Sequence, residues 1–144
     1  KRQVRMKRLL LFYIFILGCE NEQASYNPYI PDISFERVIN LNLPSFDNIN
    51  YTGGSVELEG LGVCGVILFN FNNDIIAWES CDPNHKKNNT CPKLDIDGIQ
   101  AKCQCEGNLY SLATGQILNN NSTSNYPMIR YKTERVGSNL RVFN

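Results

Sequence analysis

The 144-residue chain is formally neutral, with fourteen basic and fourteen acidic side chains, but residues 1–18 hold five of the basic ones and no acid, leaving nine basic against fourteen acidic downstream. A segment with that acidic excess lacks the basic face that neutralises phosphates, which argues against nucleic acid as a partner. The 126 residues after position 18 suit one domain with one adequate core and little room for a second.

Residues 1–8 carry Lys1, Arg2, Arg5, Lys7 and Arg8, and residues 9–17 read LLLFYIFIL, nine apolar residues in a row. That length suits the apolar region of a secretory leader and is too short to span a bilayer as a helix. Met6-Lys7-Arg8 alone also supplies a short basic region, so Met6 is a candidate start. The apolar run ends in Leu17-Gly18-Cys19, which resembles the lipobox of bacterial lipoproteins. The resemblance implies a leader over 1–18 and a diacylglycerol on Cys19. It also implies a membrane-anchored place in the bacterial cell envelope, facing the periplasm or the cell surface. Residues 19–34 are mostly polar, contain Pro28 and Pro31 and have no amphipathic period, so they read as a tether.

The expected folded domain covers residues 35–144. In 35–43, Ile39, Leu41 and Leu43 alternate with Asn40 and Asn42, the period of a half-buried strand. A turn at 52–55 leads to Val56 and Leu58 alternating with Glu57 and Glu59. After a turn at 60–62, residues 64–69 (CGVILF) form an apolar run of strand length, expected to be buried on both faces. Asn72-Asn73-Asp74 is a hairpin turn and 75–78 the returning strand. Ile129, Tyr131 and Thr133 alternate with Arg130, Lys132 and Glu134, and Gly137-Ser138-Asn139 turns the chain into a last strand over 140–143. No helical period follows residue 18. Short strands with Gly and Asn turns indicate an all-β antiparallel sandwich or open barrel. Residues 119–125 (NNNSTSN) read as a surface loop, and four Asn-X-Ser/Thr matches, at Asn50, Asn88, Asn120 and Asn121, reflect the abundance of asparagine.

The chemistry lies between Trp78, read as a core aromatic, and Leu118. Cys81, His85 and Cys91 sit in CDPNHKKNNTC, and Cys103 and Cys105 open CQCEGNLYSLATG. The second stretch resembles the second cluster-binding loop of the Rieske iron–sulfur family at Cys103-Gln104-Cys105, Gly107, Tyr110 and Thr114-Gly115. Cys81, His85 and Cys91 match the first loop with insertions. The resemblance implies a small all-β Rieske-like domain with a two-loop subdomain, Cys81, His85, Cys103 and Glu106 standing at the metal-ligand positions. It also implies a Cys91–Cys105 disulfide between the loops. A Rieske cluster takes two thiolates and two imidazoles, whereas this chain holds one histidine, and Glu106 occupies the place of the second. Asn108 stands where the family has a serine donor. With the ligand set incomplete, the resemblance implies a second disulfide, Cys81–Cys103, in an oxidising compartment. Cys64 is left over and expected to be a buried inert thiol.

The expected function is that of a non-redox structural or interaction module, lipid-anchored and stabilised by disulfides, with no cofactor and an envelope protein as partner. The alternative is an electron-transfer or metal protein holding a [2Fe-2S] cluster on Cys81, His85, Cys103 and Glu106, or zinc on a Cys3His set. His85, in the polar stretch NHKKNN, is either a solvated loop histidine or a residual ligand. Without a nucleophile–base pair or a phosphate loop, no enzyme activity is expected.

Overall fold

The computed structural model describes residues 26–119 and 126–144. The leader over 1–18, Cys19, residues 20–25 and residues 120–125 lie outside the described residues. Nine strands are described: β1 (Glu36–Asn40), β2 (Ser55–Leu58), β3 (Val66–Phe71), β4 (Asp74–Glu79), β5 (Asp95–Asp97), β6 (Gln100–Lys102), β7 (Leu109–Ser111), β8 (Arg130–Val136) and β9 (Asn139–Phe143). Six form an antiparallel sheet in the order β1-β9-β8-β4-β3-β2, and β5-β6-β7 form a small separate one. The all-β antiparallel class expected from the alternating runs is the class observed.

The β3–β4 hairpin is the centre of the fold. Phe71 pairs with Asp74 across Asn72 and Asn73, whose φ values of 52° and 70° are the left-handed pair that a two-residue hairpin turn demands. Asparagine tolerates that region better than most side chains. Alternation along β3 then feeds two cores. Val66 and Leu68 join Ile39, Leu41, Ile49, Ile75, Ala77, Tyr131, Leu140 and Val142 on one side. Ile67 and Phe69 join Ile76, Trp78, Leu94, Ala101, Tyr110, Leu112 and Met128 on the other. The first core lies inside the curl of the large sheet. The second welds the loops between β4 and β8 onto its back. A strand covered on both faces needs no polar alternation, which is why CGVILF is a continuous apolar run.

Two expectations change. The strand expected over 35–43 stops at Asn40, because the Asn42 N–H folds back to donate to Asn40 Oδ1 at 3.0 Å, and Pro44 begins a 3-10 helix over Pro44–Asn50. Leu43 is left exposed, while Ile49 supplies the buried anchor of that helix. The tether expected over 19–34 is, from residue 26 onward, part of the fold. Asn27 is buried and donates to the Pro83 carbonyl at 2.8 Å. Its Oδ1 accepts from the N–H groups of Tyr29 and Ile30 at 2.8 and 3.1 Å. Ile30 is buried, and Asn144 clasps Asp32 and the Ile33 carbonyl. Polar composition hid these contacts, because the segment docks through one asparagine and one isoleucine and has no repeating apolar face.

Candidate functional site

Of the two loops that carry the cysteines, one leaves β4 of the large sheet and the other lies between β6 and β7 of the small sheet and beyond β7. The first runs from Ser80 to Leu94, between β4 and β5. The second follows β6, from Cys103 through the turn at Gly115. Trp78, at the end of β4, seats the second loop: its Nε1 donates to the Leu112 carbonyl at 2.7 Å. A Cβ on Gly115 would lie 2.6 Å from the indole ring, so the Thr114-Gly115 turn packs flat on Trp78 only with glycine there, at φ +71°.

Cys81 is bonded to Cys64, with Cα atoms 5.1 Å apart. This corrects both the expected Cys81–Cys103 disulfide and the expected free thiol at Cys64. The cause is hairpin register. Val66 lies opposite Glu79, and Ser80 N–H donates to the Gly65 carbonyl at 2.9 Å, so continuing the ladder sets Cys64 opposite Cys81. Glu79 locks the junction. Its carboxylate, fully buried, accepts from the N–H groups of Val63 (2.7 Å), Cys64 (2.9 Å) and Cys81 (2.9 Å) and from the Tyr131 hydroxyl (2.6 Å). Four donors are what make a buried carboxylate tolerable. Burial and the hydrogen bond to Glu79 together push the Tyr131 hydroxyl well above the usual phenol range.

Cys91 and Cys105 are joined, Cα atoms 6.0 Å apart, tying loop to loop with the pairing the resemblance implied. Cys103 is a free, buried thiol, and its Sγ lies 3.8 Å from that of Cys91. Burial raises its pKa most, an effect opposed by backbone N–H groups of Glu106 and Cys105 and reinforced by its hydrogen bond to Asp82.

Asp82 stands at the centre of the loop pair and was not singled out from sequence. It is buried and accepts from Asn84 N–H (2.9 Å), Asn108 Nδ2 (3.1 Å) and the Tyr110 hydroxyl (2.5 Å). Asn84 in turn donates to Tyr110 (2.9 Å) and to the Tyr126 carbonyl (2.7 Å), so the network reaches the strand entry at β8. Desolvation, then Asp82, push the Tyr110 hydroxyl far up. The Asp-Pro-Asn turn was the one available signal, since an aspartate two residues before an N–H commonly forms such a turn.

Among the described residues, the close groups of possible ligand atoms are His85 with Cys91 and Cys105, and Cys64 with Glu79 and Cys81, neither of which is the expected set of four. Cys81 is held by Cys64, and Cys103 faces Asp82 and Cys91. Glu106 is exposed. His85 lies half-buried beside the Cys91–Cys105 sulfurs, its ring against Asn88 at 3.3 Å. These residues do not fit a two-iron cluster: Cys103 alone of the two thiols is free, Cys81 is committed to Cys64, and the chain offers one histidine.

No protein-family model matches the chain, and no curated protein matches it. Among solved structures the chain is similar to the ferredoxin of carbazole 1,9a-dioxygenase from Nocardioides aromaticivorans, at 13% identity and a TM-score of 0.47, covering 77% of this chain and 97% of that one. It is similar also to a chain in the complex of reduced oxygenase and oxidized ferredoxin in carbazole 1,9a-dioxygenase, at 15% identity and 0.46, covering 63% and 81%. A Mycobacterium tuberculosis protein provisionally assigned as the small subunit of an NADH-dependent nitrite reductase gives 15% and 0.45, covering 78% and 97%. None of these likenesses carries a residue role over to this chain.

Proposed function

We propose that the chain is a lipid-anchored, Rieske-like domain that binds no iron and serves as a disulfide-stapled structural or interaction module at the bacterial cell envelope. The observation that carries the reading is the Cys64–Cys81 bond. A sulfur committed to Cys64 is withdrawn from ligation, and the remaining donors fall short of two cysteines and two histidines. Support for the Rieske-like reading comes from the loop residues: Cys103-Gln104-Cys105, Gly107, Tyr110 and Thr114-Gly115, with Gly115 pressed on Trp78 and Cys91 bonded to Cys105. Asp82 and its donors supply the buried polar centre that holds the loops in one arrangement. The anchor reading rests on the basic residues, the apolar run and Gly18-Cys19. A protein of the envelope is the partner class such a module serves, and its role is non-catalytic.

Anaerobic reconstitution of the full chain with ferrous iron, sulfide and a dithiol reductant tests this, because it gives a cluster every opportunity. The expected product is colourless, without iron above background and without a Rieske-type paramagnetic signal. A brown protein with about two irons per chain and that signal overturns the reading and makes the protein an electron carrier.

A further inference from the structure

Three sulfurs share one spot between the loops. Cys91 and Cys105 are bonded, and the free thiol of Cys103 sits 3.8 Å from Cys91 Sγ, at van der Waals contact. The sulfurs differ in access: Cys103 and Cys91 are 1% and 5% exposed, whereas Cys105 lies on the surface. We propose that Cys103 is the internal nucleophile of an exchangeable disulfide, and that Cys105 is thereby a surface thiol that forms a mixed disulfide by attacking a partner's disulfide, one partner sulfur leaving as a thiol.

The step balances without an external oxidant. Cys103 gives its proton to water, and its thiolate attacks Cys91 Sγ. A Cys91–Cys103 bond forms as the Cys91–Cys105 bond breaks. The bonding pair leaves on Cys105 Sγ, which takes a proton from water. One disulfide and one thiol enter and leave, so the chain's oxidation state is unchanged. Cys105 follows Cys103 by only two residues, so its release does not free the second loop: the new bond still ties that loop to the first at Cys91. Backbone N–H groups of Cys105 and Glu106 reach the Cys103 sulfur, and uncatalysed rearrangements of this kind run over minutes to hours. The exchange requires neither the lipid anchor nor kinship to iron–sulfur proteins.

The full oxidised chain, held folded at about pH 8 without reductant, is incubated with iodoacetamide and its peptides are mapped by mass spectrometry. Carbamidomethyl on Cys105 together with a Cys91–Cys103 linkage is the expected result. Label on Cys103 with Cys91–Cys105 intact, or no label on either residue, overturns the proposal. Two variants check the geometry. Cys103→Ser should abolish labelling of Cys105. Cys105→Ser, with oxidised glutathione as oxidant, should join Cys91 to Cys103; recovery of both as free or glutathionylated thiols in the folded variant counts against it. If that variant does not fold, the trapping result on the unaltered chain decides alone.

Discussion

At the scale of single residues, two buried carboxylates organise the region and two tyrosines answer to them. Tyr131 donates to Glu79 and Tyr110 to Asp82, and for both the first cause of a raised pKa is desolvation. A phenol whose folded pKa is raised contributes stability that is complete below the unfolded value, near 10, and is lost as pH climbs from there toward the folded value. Of the seven tyrosines, Tyr110 and Tyr131 should therefore stay protonated at alkaline pH until the chain unfolds. Ultraviolet titration of tyrosinate, run beside circular dichroism, should show their ionisation coinciding with loss of structure. A smooth titration of all seven while the chain is still folded would contradict the assignment. Beyond the Asp-Pro-Asn turn at Asp82, neither carboxylate's role is visible in sequence, since a Glu or Asp reads as a surface group until the N–H and O–H groups around it are located.

At the scale of elements, the β3–β4 hairpin decides the most. Its Asn72-Asn73 turn fixes a register that pairs Val66 with Glu79 and, two steps further, brings Cys64 to Cys81. The turn was legible in the sequence, and carrying its register outward would have found the disulfide. The loop resemblance instead assigned Cys81 to Cys103. Replacing Cys64 and Cys81 together by serine should leave the fold intact, because the ladder and Glu79 still set the register. It should lower stability by about 3 kcal/mol, the loop-closure entropy of a crosslink of this span. Urea unfolding of the reduced-free double variant against the parent measures this; an unchanged midpoint with an unchanged slope refutes it. The short strands β5, β6 and β7, three residues each, went unseen because three residues cannot display a period of two.

At the scale of the whole molecule, the large sheet and the loop subdomain share β3 and β4, and the chain from residue 26 closes against the loops through Asn27 and Pro83. Given a lipid on Cys19, Asn27 lies eight residues along the chain, so its distance from the anchor is at most about 28 Å. A tether running to residue 34 would allow roughly twice that reach. Cys19→Ser should shift the protein from the membrane fraction to the soluble one or leave it as an unprocessed precursor. Wild-type processing and membrane retention of that variant would remove the anchor from the proposed function.

The alternating runs, the Asn and Gly turns and the apolar run of β3 determined the all-β class and the positions of the longer strands, because strand periodicity is a local property of neighbouring residues. Composition determined that a two-cysteine, two-histidine site cannot be assembled from one chain, since that needs only a count of histidines. The tertiary structure alone decided that Cys103 is left as a free buried thiol beside Cys91, that Asp82 and Glu79 are buried hubs, and that Asn27 and Ile30 dock on the domain. Each of these depends on which segments are brought together across the fold, and side-chain spacing along the chain carries no record of that.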